Sequence, residues 1–294
     1  MRKRDNRPSF LFETMIDYAA TDLQFGITCD TILFQEQFAP FRVESQREPD
    51  CKVTLDFVPM DDCQPKLRTK PLFENDLLQV VAIGEEQRLY FREPLSHAFV
   101  SVLDDRGAEK TLCVREDFCP YPELLLLNHL NLEKTMNEHG RLLLHSSFIE
   151  TERGAVLFTA PSGTGKSTQA ELWRQHRGAV IVNGDRAGIW RGEQGWLAGG
   201  VPWSGTSGIS LNRILPLRAV VILRQGPENV LETPRASESL KALMEQTTIN
   251  PWNREMYLRT QEQLIDLVQS VPVYRLRCRP DEGAVEVLAR ELGL

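Results

Sequence analysis

The chain has 294 residues, of which 41% are hydrophobic and 26% are charged, and its formal net charge is −7 at pH 7. These proportions exclude a disordered, collagen-like or low-complexity chain, and they allow one large domain or two ordinary ones. An acidic chain of this size is also a poor candidate for a general nucleic-acid binder, so we expect no nucleic-acid partner.

The sequence predicts neither a membrane span nor a signal peptide. No stretch approaches the roughly 18–20 consecutive apolar residues of a transmembrane helix, and Glu13 and Asp17 follow closely on the short apolar run Phe10–Phe12. The six cysteines form no CxxC pair and are irregularly spaced, which is typical of a reduced protein with buried thiols. We therefore expect a cytoplasmic protein with no membrane partner.

Alternating apolar side chains predict strands in the first part of the chain. Cys51, Val53, Leu55 and Phe57 alternate with polar residues, the two-residue period of a half-buried strand. Two hairpins are predicted by strands on either side of hydrophilic turns, Leu78–Ile83 with Arg88–Arg92 and Ala98–Leu103 with Lys110–Arg115. We interpret residues 1–138 as a β-rich (α+β) N-terminal domain with antiparallel strands and no catalytic motif.

A leucine-rich segment, Pro122–His139, is predicted to form a helix that ends at Gly140. The pattern after it alternates between apolar strands and amphipathic helices, so we interpret residues 139–294 as an α/β domain. Its strands are predicted at Leu142–Ile149, Ala155–Thr159, Ala179–Val182, Ala219–Leu223 and Val273–Cys278, and helices at Glu238–Met244, Pro251–Ser270 and Ala284–Leu292. For the second of these helices, Asn250 and Pro251 are expected to be the N-cap and the first helical residue.

A glycine-rich loop is the strongest functional signal in the sequence. Residues 160–168 match G-x-x-x-x-G-K-[ST], except that Ala160 takes the place of the first glycine. The apolar strand Ala155–Thr159 leads into the loop, and a helix through His176, followed by Gly178, leads out of it. This strand–loop–helix order is typical of the phosphate-binding loops of nucleotide-binding proteins.

Each residue type in the loop suits a polyphosphate. Gly163 and Gly165 allow backbone N–H groups to converge on an anion, and the N-terminus of the following helix adds a partial positive charge. Lys166 supplies a full charge for the β- and γ-phosphates, and the Ser167 hydroxyl can bind Mg²⁺. The predicted nucleotide-binding residues are Ser162, Gly163, Thr164, Gly165, Lys166, Ser167 and Thr168, with ATP and Mg²⁺ as the cofactors.

Residues around the loop resemble the kinase domain of HPr kinase/phosphorylase. The resemblance is carried by Leu143–His145, Gly154–Phe158, Ser162–Ser167 and Val180–Arg186. In that family a histidine lies on a strand upstream of the loop lysine, a hairpin leads into the loop, and a strand ending in an Asp-Asp pair follows the loop helix. The resemblance implies the α/β P-loop kinase fold shared with phosphoenolpyruvate carboxykinases, preceded here by the β-rich N-terminal domain.

The resemblance also implies roles for individual residues. Asp185 aligns with the second aspartate of the pair, where it would bind Mg²⁺ or take the proton of the acceptor, and His145 would orient the acceptor or contact the γ-phosphate. Lys166, His145 and Asp185 are thus the predicted catalytic residues, and Ser167 and Asp185 are the predicted metal ligands. Gly184 stands in place of the first aspartate, which is the position of the family's general base.

The function predicted from these features is transfer of the γ-phosphoryl of ATP, with Mg²⁺, to the serine hydroxyl of a peptide or small protein, which the N-terminal domain would help to bind. The missing carboxylate at Gly184 motivates a second function, a nucleotide-binding regulatory or scaffold module with little or no catalysis. A phosphoenolpyruvate carboxykinase-type enzyme is disfavoured, since the sequence shows no His/Lys/Asp set for a catalytic Mn²⁺. The sequence leaves open whether the chain forms a homo-oligomer.

Two other segments have two interpretations each. Pro202–Gly208 is either a loop that closes on the acceptor or the phosphates, or an ordinary connection with a packed Trp203. Arg275, Arg277 and Arg279 share one face of a strand, which we expect to be solvated rather than to contact an acidic partner or the nucleotide.

Overall fold

The structure is a computed structural model, and it describes residues 15–29, 38–45, 47–65, 70–118 and 127–294. Within these ranges the chain is a mixed α/β protein with two eight-stranded sheets. The described strands of the first sheet are β1 (Met15–Ala20), β2 (Leu23–Cys29), β3 (Cys51–Val58), β4 (Phe73–Glu74), β5 (Leu78–Ile83), β6 (Glu86–Arg92), β7 (Phe99–Arg106) and β8 (Glu109–Arg115).

The first sheet has the order β1-β2-β3-β8-β7-β6-β5-β4. The alternation predicted for β3 is confirmed, because Cys51, Val53 and Leu55 are buried. Both predicted hairpins form, as β5–β6 and β7–β8. The prediction of antiparallel strands is wrong for β3, which runs parallel to both β2 and β8. Hairpin turns predict the pairing of consecutive strands only, whereas β8 is distant from β3 in the sequence.

The second sheet carries helices on both faces. Its strands are β9 (Arg141–Thr151), β10 (Gly154–Thr159), β11 (Val180–Asn183), β12 (Arg186–Gly192), β13 (Gly195–Gly199), β14 (Ile214–Gln225), β15 (Val230–Glu232) and β16 (Val273–Cys278). The helices are α1 (Leu132–Glu138), α2 (Lys166–Arg177), α3 (Ala236–Gln246), α4 (Arg254–Ser270) and α5 (Glu282–Leu292). Across the described ranges, no helix combines the length and apolar character needed to cross a bilayer.

Strand β10 lies at the centre of this sheet and positions the glycine-rich loop. It pairs antiparallel with β9 and parallel with β14, and β14 pairs parallel with β16. Leu157 packs in the core beneath α3 and α4, and its neighbour Phe158 packs in the core beneath α2 and α5. The carboxyl ends of β10, β14 and β16 therefore meet at one edge, where open α/β sheets bind ligands.

Two predicted helices depart most from the structure, and tertiary contacts explain both. Of the predicted helix Pro122–His139, residues 122–126 lie outside the described residues, and Asn131, with a φ of 51°, interrupts it before α1. The Asn131 amide donates to Asp105 Oδ2 at 2.7 Å and its Oδ1 accepts from Asn250 Nδ2 at 2.7 Å. Because the Asn250 side chain makes this buried hydrogen bond, it does not cap α4 as predicted. The helix begins at Arg254, and its N-cap is Asn253, whose Oδ1 accepts from Met256 N at 3.0 Å.

One apolar cluster joins the two sheets. Leu143 on β9, together with Val201 and Trp203 after β13, belongs to the same buried cluster as Phe25 and Leu55 of the first sheet. The segment that follows β13 is therefore anchored in the core of the N-terminal region.

A close backbone approach adds to this contact. The Thr21 methyl group, in the turn between β1 and β2, lies 2.2 Å from the position an ideal Cβ would take at Gly188 of β12. Only glycine at that position lets the turn lie directly on β12. The carbonyl of Thr21 also accepts from Arg141 Nε at 3.2 Å.

Candidate active site

The glycine-rich loop joins the end of β10 to the start of α2. Gly163 has a φ of 78° and Gly165 a φ of 115°, and no atom lies within 4 Å of an ideal Cβ at either position. Glycine is therefore needed there for its backbone conformation and not for lack of space. Ala160 is not among the described residues with positive φ, so replacing the first glycine of the motif costs no backbone strain.

Lys166 is the first residue of α2 and is buried. Its ammonium donates to Ala160 O at 2.9 Å and reaches Pro161 O at 3.5 Å, so the side chain folds back along the loop. Burial lowers the pKa of Lys166, and the nearby Asp185 carboxylate acts in the opposite direction. The side chains of Ser162, Ser167 and Thr168 lie on the exposed side of the loop and first helical turn.

Asp185 lies in a tight turn after β11, and Asn183 fixes this turn. The Asn183 side chain is fully buried; its Oδ1 accepts from the backbone N of Asp185 at 2.8 Å and of Arg186 at 2.9 Å. Its amide donates to Val201 O at 2.8 Å. An asparagine that bonds its own backbone two residues on is typical of such turns, and this signal was overlooked in the sequence.

His145 on β9 faces Asp185, with 3.7 Å between Nε2 and Asp185 Oδ1. On its other side, His145 Nδ1 lies 3.2 Å from Gln246 Oε1. The ring is thus held between the Gln246 amide at Nδ1 and the Asp185 carboxylate at Nε2. Burial, followed by the charge of Lys166, lowers the pKa of His145, so the ring is neutral at pH 7. Gln246 lies at the end of α3, and no motif in the sequence points to it.

The structure thus brings together His145, Lys166 and Asp185. The Lys166 and Asp185 charges both act on the pKa of His145. These are the three side chains that the sequence predicts to be catalytic. Among the described residues there is no group of three or more His, Cys, Asp or Glu side chains arranged to hold a metal ion.

The segment after β13 covers Asp185. Gly205 has a φ of 56°, and an ideal Cβ there would lie 2.7 Å from Asp185 Cβ and 3.0 Å from its Oδ1, so only glycine lets this backbone lie on the carboxylate. Trp203 is buried and donates from Nε1 to Asn128 Oδ1 at 3.1 Å. The Arg186 guanidinium lies 5.8 Å from the Trp203 ring centroid and donates to Asp185 Oδ2 at 3.3 Å. The segment therefore combines a packed Trp203 with direct contact to Asp185.

A cavity of about 470 Å³ opens beside the first half of the loop. It is bordered by Pro161, Thr164, Arg224, Glu245 and Gln246. The same Gln246 side chain reaches His145, so this cavity adjoins the His145–Asp185 pair. Its size is adequate for a small ligand or part of one.

The arginine face of β16 lies outside this site. Arg275 forms ion pairs with Glu232 and Glu238, at 3.7 and 3.1 Å, and Arg277 and Arg279 are exposed. The expected solvated face is thus confirmed for Arg277, whereas Arg275 and Arg279 each pair with neighbouring acidic residues, Arg279 with Asp281 at 2.9 Å.

Comparisons with known proteins give distant matches among solved structures alone. No family model and no curated protein matches the chain. A solved HPr(Ser) kinase/phosphatase from Coxiella burnetii is similar over 51% of this chain and 94% of its own length, with 13% sequence identity and a TM-score of 0.29.

Proposed function

We propose that the chain is a kinase that transfers the γ-phosphoryl of ATP, with Mg²⁺, to the serine hydroxyl of a peptide or small protein. The observation that carries this proposal is the position of His145 and Asp185 beside the glycine-rich loop, with Asp185 close enough to Lys166 to act on its pKa. A phosphate-binding loop next to a carboxylate is the arrangement that phosphoryl transfer requires.

The loop residues would hold the triphosphate. Residues 162–168 offer backbone N–H groups and exposed hydroxyls at the N-terminus of α2, and Lys166 would turn from Ala160 O toward the β- and γ-phosphates. The Ser167 hydroxyl and the Asp185 carboxylate are oxygen donors of the kind that Mg²⁺ prefers. Bound there, Mg²⁺ would neutralise charge on the phosphates.

Asp185 would act on the acceptor. As the acceptor oxygen bonds to the γ-phosphorus and the bond to the ADP oxygen breaks, the hydroxyl proton passes to the Asp185 carboxylate. Neutral His145 would orient the acceptor from the other side of the carboxylate, at 3.7 Å. Arg186 and Gly205 would hold Asp185 in place.

The N-terminal region would help to bind the acceptor. This part of the proposal is supported by Trp203, which lies two residues before Gly205. Trp203 packs in the core of the first sheet and donates a hydrogen bond to Asn128. An acceptor that contacts the first sheet would therefore lie close to the segment that covers Asp185.

A nucleotide-binding regulatory or scaffold module is the second candidate, and one observation favours it. The Ser207 side chain fills the space next to Gly184, where the resembling family has its first aspartate. The site therefore holds one carboxylate where that family has two, which suits binding without turnover.

The two functions differ in acceptor-dependent release of ADP. The protein would be incubated with Mg²⁺, γ-labelled ATP and a degenerate serine peptide library, alongside Asp185→Asn and the control Glu193→Gln, an exposed turn residue. A kinase labels peptide, keeps this activity in Glu193→Gln and loses at least a hundredfold in Asp185→Asn. ATP binding with no ADP release from any acceptor favours the module, and no ATP binding contradicts both.

A further inference from the structure

The cavity of about 470 Å³ between the glycine-rich loop and α3 carries unlike charges on two of its walls. Arg224, at the end of β14, and Glu245, near the end of α3, both border it, and both are exposed. Neither side chain has an ion-pair or hydrogen-bond partner among the described residues. Resting on the kinase activity proposed above, we propose that this cavity binds residues that flank the acceptor serine, with a basic side chain against Glu245 and an acidic one against Arg224.

Both charges lie on one side of the second sheet. Ile222 packs in the core beneath α3 and α4, whereas Leu223 packs in the core beneath α2 and α5. Because successive side chains of a strand point to opposite faces, Arg224 lies on the same face as Ile222, which is the face that α3 covers. Glu245 borders the cavity from α3 itself. The sheet therefore supplies the cation of this cavity, and the helix supplies the anion.

The cavity adjoins the place where the acceptor hydroxyl would react. Gln246 borders it and lies 3.2 Å from His145 Nδ1, and His145 Nε2 lies 3.7 Å from Asp185 Oδ1. Along this edge of the sheet, β14 pairs with β10, β10 with β9, and β9 with β12, which follows Asp185. A peptide with its serine hydroxyl at Asp185 would therefore place residues on one side of that serine beside His145 and in the cavity.

The Glu245 carboxylate favours the acceptor over the nucleotide as the occupant. A triphosphate carries several negative charges, and a carboxylate that borders the same small cavity would repel it. Arg224 alone would suit a phosphate, but the free carboxylate on the facing wall would not. A peptide segment with one cationic and one anionic side chain complements both walls.

The exposure of both side chains sets the size of the expected effect. An exposed ion pair changes an affinity by at most about fivefold. Each charge should therefore change kcat/KM for a peptide by about three- to fivefold, through KM for the peptide and not through KM for ATP.

The test uses Mg²⁺, γ-labelled ATP and a peptide library that has a central serine and degenerate flanking positions. Peptides labelled by the wild type should be enriched about three- to fivefold in Lys or Arg at one flanking position and in Asp or Glu at another. Glu245→Lys should turn the basic preference into an acidic one at the same position, and Arg224→Glu should turn the acidic preference into a basic one. Free L-serine is a separate acceptor, because it carries an ammonium and a carboxylate of its own.

Two exposed residues outside the cavity provide the matched controls. Glu262 lies on α4 and Arg290 on α5, and neither borders the cavity. Glu262→Lys and Arg290→Glu make the same changes of charge on the protein and should keep both preferences of the wild type.

The outcomes separate this inference from the proposed function. Labelled peptides without a charge preference in the wild type overturn the inference, and this result needs no variant to fold. Preferences that persist in folded Glu245→Lys and Arg224→Glu do the same, as does a change in KM for ATP alone or labelling of free L-serine in preference to every peptide. If the wild type binds ATP but labels neither peptide nor free serine, the proposed kinase activity is itself wrong, and this inference fails with it.

Discussion

The side chain of Ser207 occupies the space that a side chain on Gly184 would need. Its Oγ lies 2.0 Å and its Cβ 2.5 Å from the ideal Cβ position of Gly184, well inside any van der Waals contact. Ser207 is held there by its own hydrogen bonds, since Oγ donates to Ser204 O at 2.7 Å and accepts from Ile209 N at 3.2 Å. The glycine at position 184 and the placement of the segment after β13 are therefore one coupled feature.

Substitutions at these two positions should consequently not be additive. Gly184→Ala alone should lower the free energy of unfolding by about 1–3 kcal/mol, because the new Cβ displaces Ser207. Adding Ser207→Gly should recover most of that loss, although Ser207→Gly alone removes two hydrogen bonds. Urea denaturation of the two single variants and the double variant measures the coupling. Additive effects would mean that the two side chains do not compete for one space.

Lys166 should be required for stabilisation by nucleotide. At a hundredfold excess over the dissociation constant, Mg-ATP should stabilise the wild type by about 2.7 kcal/mol, which for a protein of this size is a rise in Tm of roughly 4–8 °C. Lys166→Met should abolish that rise. Lys241→Met, at an exposed position of α3, should retain it. A thermal shift that survives in Lys166→Met, or no shift in the wild type at millimolar ATP, would contradict a phosphate-binding role.

Gln246 should act by holding His145 in one tautomer and orientation. Replacing it by leucine removes the acceptor that lies 3.2 Å from His145 Nδ1. Loss of one orienting hydrogen bond of about 1–1.5 kcal/mol should reduce kcat about tenfold and leave the KM for ATP unchanged. Gln246→Glu should instead raise the pKa of His145 and move the acid limb of the pH profile upward.

Gln269→Leu, at an exposed position of α4, is the control for the Gln246 variants. A loss in Gln246→Leu that appears in KM and not in kcat would place Gln246 in ATP binding and not in the orientation of His145. An unchanged pH profile in Gln246→Glu would remove the link between the two side chains.

The glycine-rich loop could be predicted from sequence because its chemistry is local. Gly163, Gly165 and Lys166 lie within four residues, between a strand and a helix that their own apolar patterns indicate. The surroundings of Asp185 are different. Gln246 comes from a helix far along the chain, and Gly205 from a segment whose path depends on the core of the first sheet.

The same distinction explains the errors in secondary structure. The hairpin of β12 and β13 was missed, although Gly192 and Gly195 flank its turn, because its strands are rich in glycine and carry little alternation. The helix predicted through residue 131 is broken because Asn131 donates a hydrogen bond to the buried Asp105 carboxylate. A helical pattern gives no sign of a partner that lies on another strand.

The buried His129 should make the stability of the protein depend on pH. It stacks on Phe91, with 3.9 Å between ring centroids, and its Nδ1 lies 2.9 Å from Ser101 Oγ. Burial lowers the pKa of His129 from 6.5 to about 3. Between these values the unfolded chain binds a proton that the folded chain does not, so the folded state loses stability as the pH falls from 6.5 toward 3.

At about pH 4.5 this one group should cost on the order of 2–3 kcal/mol relative to pH 7. His129→Phe keeps a ring against Phe91 and removes the titrating group. From pH 7 to pH 4.5, the free energy of unfolding of this variant should therefore fall by about 2–3 kcal/mol less than that of the wild type. His139→Gln, at an exposed histidine, should show the wild-type difference. Urea denaturation at both pH values gives the difference in the free energy of unfolding for each protein. Any loss of packing caused by a substitution is the same at both pH values, so it cancels from that difference. Equal differences in His129→Phe and the wild type would mean that His129 titrates at its ordinary pKa and is accessible to water in the folded protein.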